Sequence, residues 1–268
     1  MQSLRIDKAG SIRILQITDS HLGEDPGEKL TGVSTEQSFL DVLDHIAAQE
    51  THYDLILVTG DIANHGTEVA YKRFVAHLQK LGKPWLWLPG NHDIPGLMNQ
   101  VAPDNSWERG VDLPRWQCQL LSTHVPREVG GELAQSEIDR LKAALAGSDK
   151  HQMVLIHHQP LPVGSAWIDS QLVANGQELL RILSEAGHAK ALVWGHVHQE
   201  VDRDYDGLRL LATPSTCIQF KPISDGFALD DSMPGYRWIE LHEDGSITTG
   251  VERVPEKDYG VDFNSAGY

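Results

Sequence analysis

Residues Ile12–Leu22 read IRILQITDSHL. Ile12, Ile14, Leu15 and Ile17 form an apolar run of strand length, and Thr18-Asp19-Ser20-His21 ends it with groups that can cap, turn or ligate. The pattern predicts a strand over 12–18 with a carboxylate and an imidazole just past its carboxyl end. The same arrangement recurs along the chain. Leu55–Thr59 (LILVT) stops in Gly60-Asp61, and Trp85–Leu88 stops in Pro89-Gly90-Asn91-His92-Asp93. Gln152–Ile156 stops in His157-His158, and Ala191–Trp194 in Gly195-His196-Val197-His198.

Segments of helical spacing separate these runs. They are Ser34–Gln49, with Ser34 and Gln37 as a capping box, then Thr67–Leu81, Ser136–Leu145 and Gln177–Ala186. Gln117–Leu121 reads as a further strand, and Ile94–Arg115 carries no clear pattern. Later the pattern changes. Leu208–Ala212, Tyr236–Leu241 and Ser246–Val251 read as strands joined by turns, and Pro255–Tyr268 as a loop or loosely docked tail. Strand–helix alternation argues for a mostly parallel α/β sheet that ends in a strand-rich section. No low-complexity linker or internal repeat divides the chain. The expectation is one domain over 1–268, with a catalytic core over about 12–250 and a tail over about 255–268.

A chain of 268 residues can bury a core without covalent staples. Its two cysteines, Cys118 and Cys217, form no C-x-x-C and suit a reducing compartment. The stretch MQSLRIDKAGSIRILQ has no apolar region of signal-peptide length, and no apolar run is long enough for a bilayer. A cytoplasmic protein is expected. The formal net charge of −16 argues against nucleic acid and anionic membrane as partners. It would also repel an anionic substrate, unless bound cations invert the sign of the cleft.

In parallel α/β sheets the carboxyl ends of strands share one edge, where ligands bind. Residues scattered over about 180 positions can therefore meet in one cleft. Taken singly, each stop has an ordinary reading as a cap or turn. Together they hold six of the 14 histidines: His21, His92, His157, His158, His196 and His198. The other eight read as mostly surface or helix-face residues, with His65 and His124 the two that lie nearest the expected cleft. Carboxylate, imidazole and amide donors without thiolate suit Mn, Fe, Zn or Co. Asp19, His21, Asp61, Asn91, His157, His196 and His198 are seven, too many for one ion. Two ions roughly 3.5–4 Å apart that share a carboxylate would use them all.

In their order, D-x-H, G-D, G-N-H-D, a later His and G-H-x-H resemble the calcineurin-like metallophosphoesterases. "LQITDSHLG", "LPGNHD", "HHQPLPVGSAW", "GHVHQE" and "LLATPSTCIQFKP" narrow this. They resemble the bacterial 3′,5′-cyclic AMP phosphodiesterases, the class III cyclic-nucleotide enzymes, from about Ile12 to Gly250 and again at Gly267-Tyr268. The resemblance implies a four-layer α/β/β/α sandwich of two mixed β-sheets flanked by helices. It implies that Asp19, His21 and His198 hold one ion, that Asn91, His157 and His196 hold the other, and that Asp61 bridges them. His157 is taken over His158 for its place before the Pro-containing turn, and His158 stays open as the alternative. His92 would be the catalytic non-ligand histidine, with Asp93 orienting its ring. Substrate contact would fall to His21, Asn91, His92 and His198, with His158 and the loop Thr213–Pro222 shaping the substrate end of the cleft. The chain departs from close relatives in Gln159 and in Ser122-Thr123-His124, both outside the metal set and both able to alter substrate contacts.

The implied reaction is hydrolysis of 3′,5′-cyclic AMP to 5′-AMP by in-line attack of a metal-bridging hydroxide. Iron and manganese are the expected metals, with zinc or cobalt as alternatives. A small cyclic nucleotide is the expected partner, with a homodimer compatible. The rivals are another phosphoesterase, such as a nucleotidase or a 2′,3′-cyclic phosphodiesterase, and a non-catalytic scaffold on the same fold. A metallo-β-lactamase-like site needs H-x-H-x-D-H, but Gln199-Glu200-Val201 follows His198.

Overall fold

The computed structural model describes residues 3–103, 106 and 109–267. Tyr268, part of the resemblance, lies outside the described residues. The first part of the chain forms β1 (Leu4–Arg5), β2 (Ile12–Ile17), the short hairpin β3 (Lys29–Leu30) and β4 (Val33–Ser34), and helix α1 (Thr35–Gln49). It continues through β5 (Leu55–Val58), α2 (Glu68–Gln79), β6 (Trp85–Trp87) and α3 (Pro95–Val101). Next come β7 (Gly110–Asp112), β8 (Trp116–Leu120), α4 (Gln135–Ala146), β9 (His151–Leu155), α5 (Ala166–Asp169), α6 (Gly176–Ala186) and β10 (Ala189–Trp194). The last third contains β11 (Val201–Tyr205), β12 (Leu208–Ala212), the ribbon β13 (Gln219–Phe220) and β14 (Leu229–Asp230), β15 (Gly235–Leu241) and β16 (Ile247–Arg253).

These strands build two mixed sheets. One is five-stranded in the order β16-β15-β2-β5-β6, and the other seven-stranded in the order β1-β7-β8-β9-β10-β12-β11. The expectation of one mostly parallel sheet is therefore corrected, while the four-layer sandwich is observed. β2, β5 and β6 run parallel, and so do β8, β9, β10 and β12. The final hairpin β15–β16 returns to the first sheet and pairs antiparallel with β2.

Side-chain alternation in the strands explains the layers, because successive residues face opposite sides. Ile12, Ile14, Leu55, Leu57, Leu86 and Leu88 meet Cys118, Leu120, Met153, Leu155, Ala191 and Val193 in the core between the sheets. The residues between them face outward. Leu15, Ile17, Ile56, Val58 and Trp87 pack on Phe39, Val42 and Ile46 of α1 and on Ala70, Phe74 and Leu78 of α2. Val154, Ile156, Leu192 and Trp194 pack on Ile138 and Leu141 of α4 and on Leu179 and Leu183 of α6. The runs apolar on both faces are apolar because each strand is covered twice.

Local signals set the helix starts. The Ser34 hydroxyl accepts from the Gln37 N–H, as a cap requires. Gln37 does not complete the capping box, since its side chain donates to Asp41 instead. The unpatterned stretch contains α3, whose first residue is Pro95, and the three-residue strand β7, which lies between β1 and β8. β11 (VDRDY) carries no strand signal in the sequence, because as an edge strand its middle residues are exposed and show no apolar face. Among its described residues the tail forms no helix or strand but is docked. Tyr259 Oη donates to Asp41 at 2.7 Å, and the Asp262 N–H to the Thr31 carbonyl at 2.8 Å.

Gln16, wholly buried, joins the sheets beside the strand ends. Its Nε2 donates to Thr59 Oγ1 at 2.8 Å and to the Trp194 carbonyl at 3.0 Å, while its Oε1 accepts from Thr213 Oγ1. Gln16→Leu keeps the volume and strands these partners. It should lower the unfolding free energy by about 1–3 kcal/mol, seen as a lower urea midpoint at unchanged denaturant slope.

Candidate metal centre

The polar stops of β2, β5, the β6 loop, β9 and β10 meet where the carboxyl edges of the two sheets abut. Asp19, His21, Asp61, His157, His196 and His198 are all buried, and Asn91 and His92 are half-buried. The backbone is bent to bring them together. Of the nine non-glycine residues with positive φ among the described residues, five are Asp19, His21, Asp61, His196 and His198. Left-handed backbone costs an L-residue about 1–2 kcal/mol and clusters at functional sites. Gly60, at φ 98°, turns the chain where a Cβ would sit 2.5 Å from His157 Nδ1. A Cβ on Gly195 would lie 2.7 Å from Asp19 Oδ2.

Two constellations result. Asp19, His21 and His198 form one: the Nε2 atoms of His21 and His198 lie 3.2 Å apart, and His198 Nε2 is 3.4 Å from Asp19 Oδ1. His157, His158 and His196 form the other, with Asn91 Oδ1 3.1 Å from His157 Nε2. Asp61 lies between, its Oδ2 3.7 Å from His21 Nε2 and 3.2 Å from His157 Nε2.

Neighbouring groups fix which atom each ring offers. His157 Nδ1 donates to the Thr59 carbonyl at 2.6 Å, and His198 Nδ1 to the Ile218 carbonyl at 2.8 Å. Both rings therefore turn Nε2 inward, the usual wiring of a ligating imidazole. His198 is also stacked on Phe220, with ring centroids 4.0 Å apart. His158 differs. Its Nδ1 meets Thr123 Oγ1 at 2.7 Å and its Nε2 the Val129 carbonyl at 3.2 Å, so neither nitrogen is left for an ion. Asp19 is held by Thr18 Oγ1 at 2.6 Å and by the His196 N–H at 3.0 Å.

The electrostatics match a cation site. Burial pushes the His196 imidazole well below its ordinary range, with His158 and His157 adding to it. Burial and the neighbouring His92 do the same to His21. Burial works to raise the Asp61 carboxyl, but His157 and His92 outweigh it and hold it well below the usual range. Burial also lowers His157, and there the Asp61 carboxylate wins, lifting the ring to about 9. His196 Nε2 is buried with no hydrogen-bond partner. Neutral rings at His21 and His196, an ionised Asp61 carboxylate and an orphaned buried ring nitrogen suit metal ligation, and a cation beside Asp61 would displace the proton that the carboxylate now holds on His157. The residues fit a pair of cations.

Two expectations are corrected. Asp93 does not orient the His92 ring: His92 Nδ1 donates to the Asn64 carbonyl at 2.9 Å. The buried Asp93 carboxylate instead accepts from the N–H groups of Gly90 (2.9 Å), Ile62 (3.2 Å) and Ala63 (3.2 Å), and from Tyr71 Oη (3.1 Å). It clamps the loop bearing Asp61 to the loop bearing Asn91 and His92. Burial, with Asp61 beside it, pushes this carboxyl up to about 6. Of the loop Thr213–Pro222, expected at the substrate end, Thr213–Phe220 is buried and supports the ligands, whereas Lys221 and Pro222 are exposed. Ser215 Oγ, for example, donates to the Asp19 carbonyl at 2.7 Å. Of the four residues expected to touch substrate, Asn91 and His92 are half-buried, whereas His21 and His198 are only 1% exposed. Sequence reasoning missed the ring-holding carbonyls of Thr59, Asn64 and Ile218, because a backbone acceptor leaves no side-chain signal. His124, one of the two histidines placed nearest the cleft in the sequence, does lie beside the centre. That ring donates from Nδ1 to the Gly90 carbonyl at 2.9 Å, one residue from Asn91.

The calcineurin-like phosphoesterase family profile matches residues 12–200. The chain is 41% identical, over 96% of its length and 95% of the relative, to the 3′,5′-cyclic adenosine monophosphate phosphodiesterase CpdA of Escherichia coli K12. It is 39% identical to CpdA of Pseudomonas aeruginosa, over 96% of each chain. Among solved structures, a dimetal phosphatase from Danio rerio superposes with a TM-score of 0.61 at 15% identity, covering 91% of this chain and 99% of that one. At that identity the likeness concerns the fold.

Asp93→Ala would leave three buried N–H groups and the Tyr71 hydroxyl without their acceptor. A loss on the order of 3 kcal/mol in chemical denaturation is expected, more than for Asp93→Asn, which keeps one oxygen.

Proposed function

The chain belongs to the calcineurin-like phosphoesterase family, and from that premise we propose that it is a dimetal phosphodiesterase that hydrolyses 3′,5′-cyclic AMP to 5′-AMP. Near-full-length identity of about 40% to enzymes of that activity carries the substrate. The convergence of the two constellations on Asp61 carries the chemistry. Asp19, His21 and His198 would hold one ion, Asn91, His157 and His196 the other, and Asp61 both. His157 rather than His158 is the ligand in this reading, since both nitrogens of His158 are taken. Carboxylate, imidazole and amide oxygen without thiolate favour iron or manganese, with zinc or cobalt also accommodated. We read residues 1–268 as one catalytic unit acting in the cytoplasm on a small nucleotide. No helix among the described residues is long and apolar enough to cross a membrane.

Bound there, the ions supply Lewis acidity and neutralise the phosphodiester charge, which also removes the conflict between an anionic substrate and a chain of net charge −16. The protein's own residues do the rest. Two of the ligating rings are held by backbone carbonyls, so their Nε2 atoms need no reorientation as charge develops. The His92 N–H donates to Asp61 Oδ1 at 2.9 Å, which couples the catalytic loop to the bridging carboxylate. With its Nδ1–H fixed on the Asn64 carbonyl, His92 is the general acid in this reading: its ring would give a proton to O3′ as a water oxygen bonds to phosphorus and the P–O3′ bond breaks. The leaving oxygen stays attached through the ribose, so the product is the 5′-monophosphate. Asn91 is the half-buried ligand that faces substrate. His21 and His198, being buried, act on it only through what they ligate.

The deciding measurement is kcat/KM for 3′,5′-cyclic AMP against 2′,3′-cyclic AMP, cyclic GMP and phosphomonoesters on protein whose metal content is known. Cyclic AMP should lead. A tenfold lead by a monoester or the 2′,3′ isomer, about 1.4 kcal/mol of transition-state preference, would overturn the substrate and leave the family intact.

His92→Ala should slow turnover by about 10²–10⁴-fold, the range for a lost acid or base, while elemental analysis still finds two ions per chain. Loss of metal with activity would make His92 a ligand.

A further inference from the structure

A pair of cations can polarise any phosphoester, so selection among nucleotides needs contacts outside the ligand set. Asn91, His92 and His124 are half-buried, while the six charged and imidazole ligands are buried. The three therefore stand where the centre opens.

His124 is wired like His92. Each ring is fixed by an Nδ1–H donated to a backbone carbonyl at 2.9 Å, His92 to Asn64 and His124 to Gly90. Both are anchored on the turn 89–93: His92 belongs to it, and His124 bonds to it. The His124 N–H is tied back to Ser122 Oγ, which sets the ring's approach. The other nearby histidines are spoken for. His158 uses both nitrogens, and exposed His65 pairs with Glu28 at 3.2 Å. His124 Nε2 has no partner among the described residues, nor is it a buried orphan. It is open to solvent at the mouth of the site.

A neutral imidazole that donates from Nδ1 is an acceptor at Nε2. An acceptor has no use for phosphate oxygens, which are acceptors themselves. It can take a hydroxyl, and 3′,5′-cyclic AMP has one free hydroxyl, at the ribose 2′ position. That group is on the carbon next to the one bearing O3′, the oxygen His92 serves. A hydroxyl beside O3′ must lie near His92, and the turn that carries His92 also carries the His124 ring.

We propose that His124 Nε2 accepts a hydrogen bond from the ribose 2′-hydroxyl and so selects ribonucleotides, an inference that rests on the cyclic AMP reading above. The test compares 3′,5′-cyclic AMP with its 2′-deoxy analogue on wild type, His124→Ala and His124→Phe, the last retaining the ring's bulk. Wild type should prefer the ribonucleotide by about tenfold in kcat/KM, the worth of one good hydrogen bond. Both variants should lose about that factor on cyclic AMP, stay within about twofold of wild type on the deoxy analogue, and retain their metals. Equal losses on both substrates, no loss on either, or loss of metal would each overturn the inference while leaving the cyclic AMP reading in place. A wild-type enzyme inactive on both cyclic nucleotides would overturn that reading and the inference with it.

Discussion

Two carboxylates, Asp19 and Asp61, and five imidazoles, His21, His157, His158, His196 and His198, are buried in one place, and the rest of the molecule is arranged around that constraint. Burying ionisable groups is expensive unless they are paired or ligate a metal. The local charges show the tension. Burial drives His21 and His196 toward neutrality, while Asp61 and His157 hold each other in their charged forms. A proton shared between carboxylate and ring is one way to balance the cluster. Two cations are a better one, because they would satisfy both carboxylates and the four rings other than His158 together and free the proton.

Such a cluster also has to be held against its own backbone. Asp19, His21, Asp61, His196 and His198 sit in left-handed conformations that would relax if the surroundings allowed. The surroundings do not allow it. The strand-end segments hydrogen-bond to one another across the sheet, Asp19 N–H to the Gly60 carbonyl and His21 N–H to the Asp61 carbonyl. Gln16 pins β2 to the end of β10, and Asp93 ties two ligand loops together. The inter-sheet core fixes the relative position of the sheets from which the ligands come. Close packing resists the small shifts that would spoil the geometry.

This division decides how much was legible in the sequence. Ligands were legible, because a polar stop after an apolar strand is a local pattern and several such stops imply one edge. Strands and helices were legible to within one to three residues wherever burial gave them a periodic face. The partition into two sheets was not, since β5 (LILV) and β9 (HQMVL) are both buried strands and neither sequence names its partners. β11 was invisible because an exposed edge strand has no hydrophobic alternation. The choice between His157 and His158 turned on Thr59, Thr123 and Val129, none of them sequence neighbours of the pair. Asp93 misled because adjacency to His92 in sequence suggested contact, whereas its partners are N–H groups from another loop.

The motifs outside the metal set therefore mean something different from what their position in sequence suggests. In "HHQPLPVGSAW", His158 and Gln159 are buried structural groups, and Ser165 with Gln199 binds the segment after β13. In "TPSTCIQFKP", hydroxyls and carbonyls face Asp19 and His198. In this structure both stretches hold the ligand geometry. A ligand geometry, however, fixes the reaction more tightly than the substrate. Discrimination has to act where the nucleoside leaves the buried cluster, at the mouth of the site. The groups there are few and half-exposed, and their backbone anchors orient them before any substrate arrives. A rim residue can change without disturbing the buried charges, whereas a ligand cannot. That asymmetry lets one buried centre serve different phosphoesters through small changes at its edge.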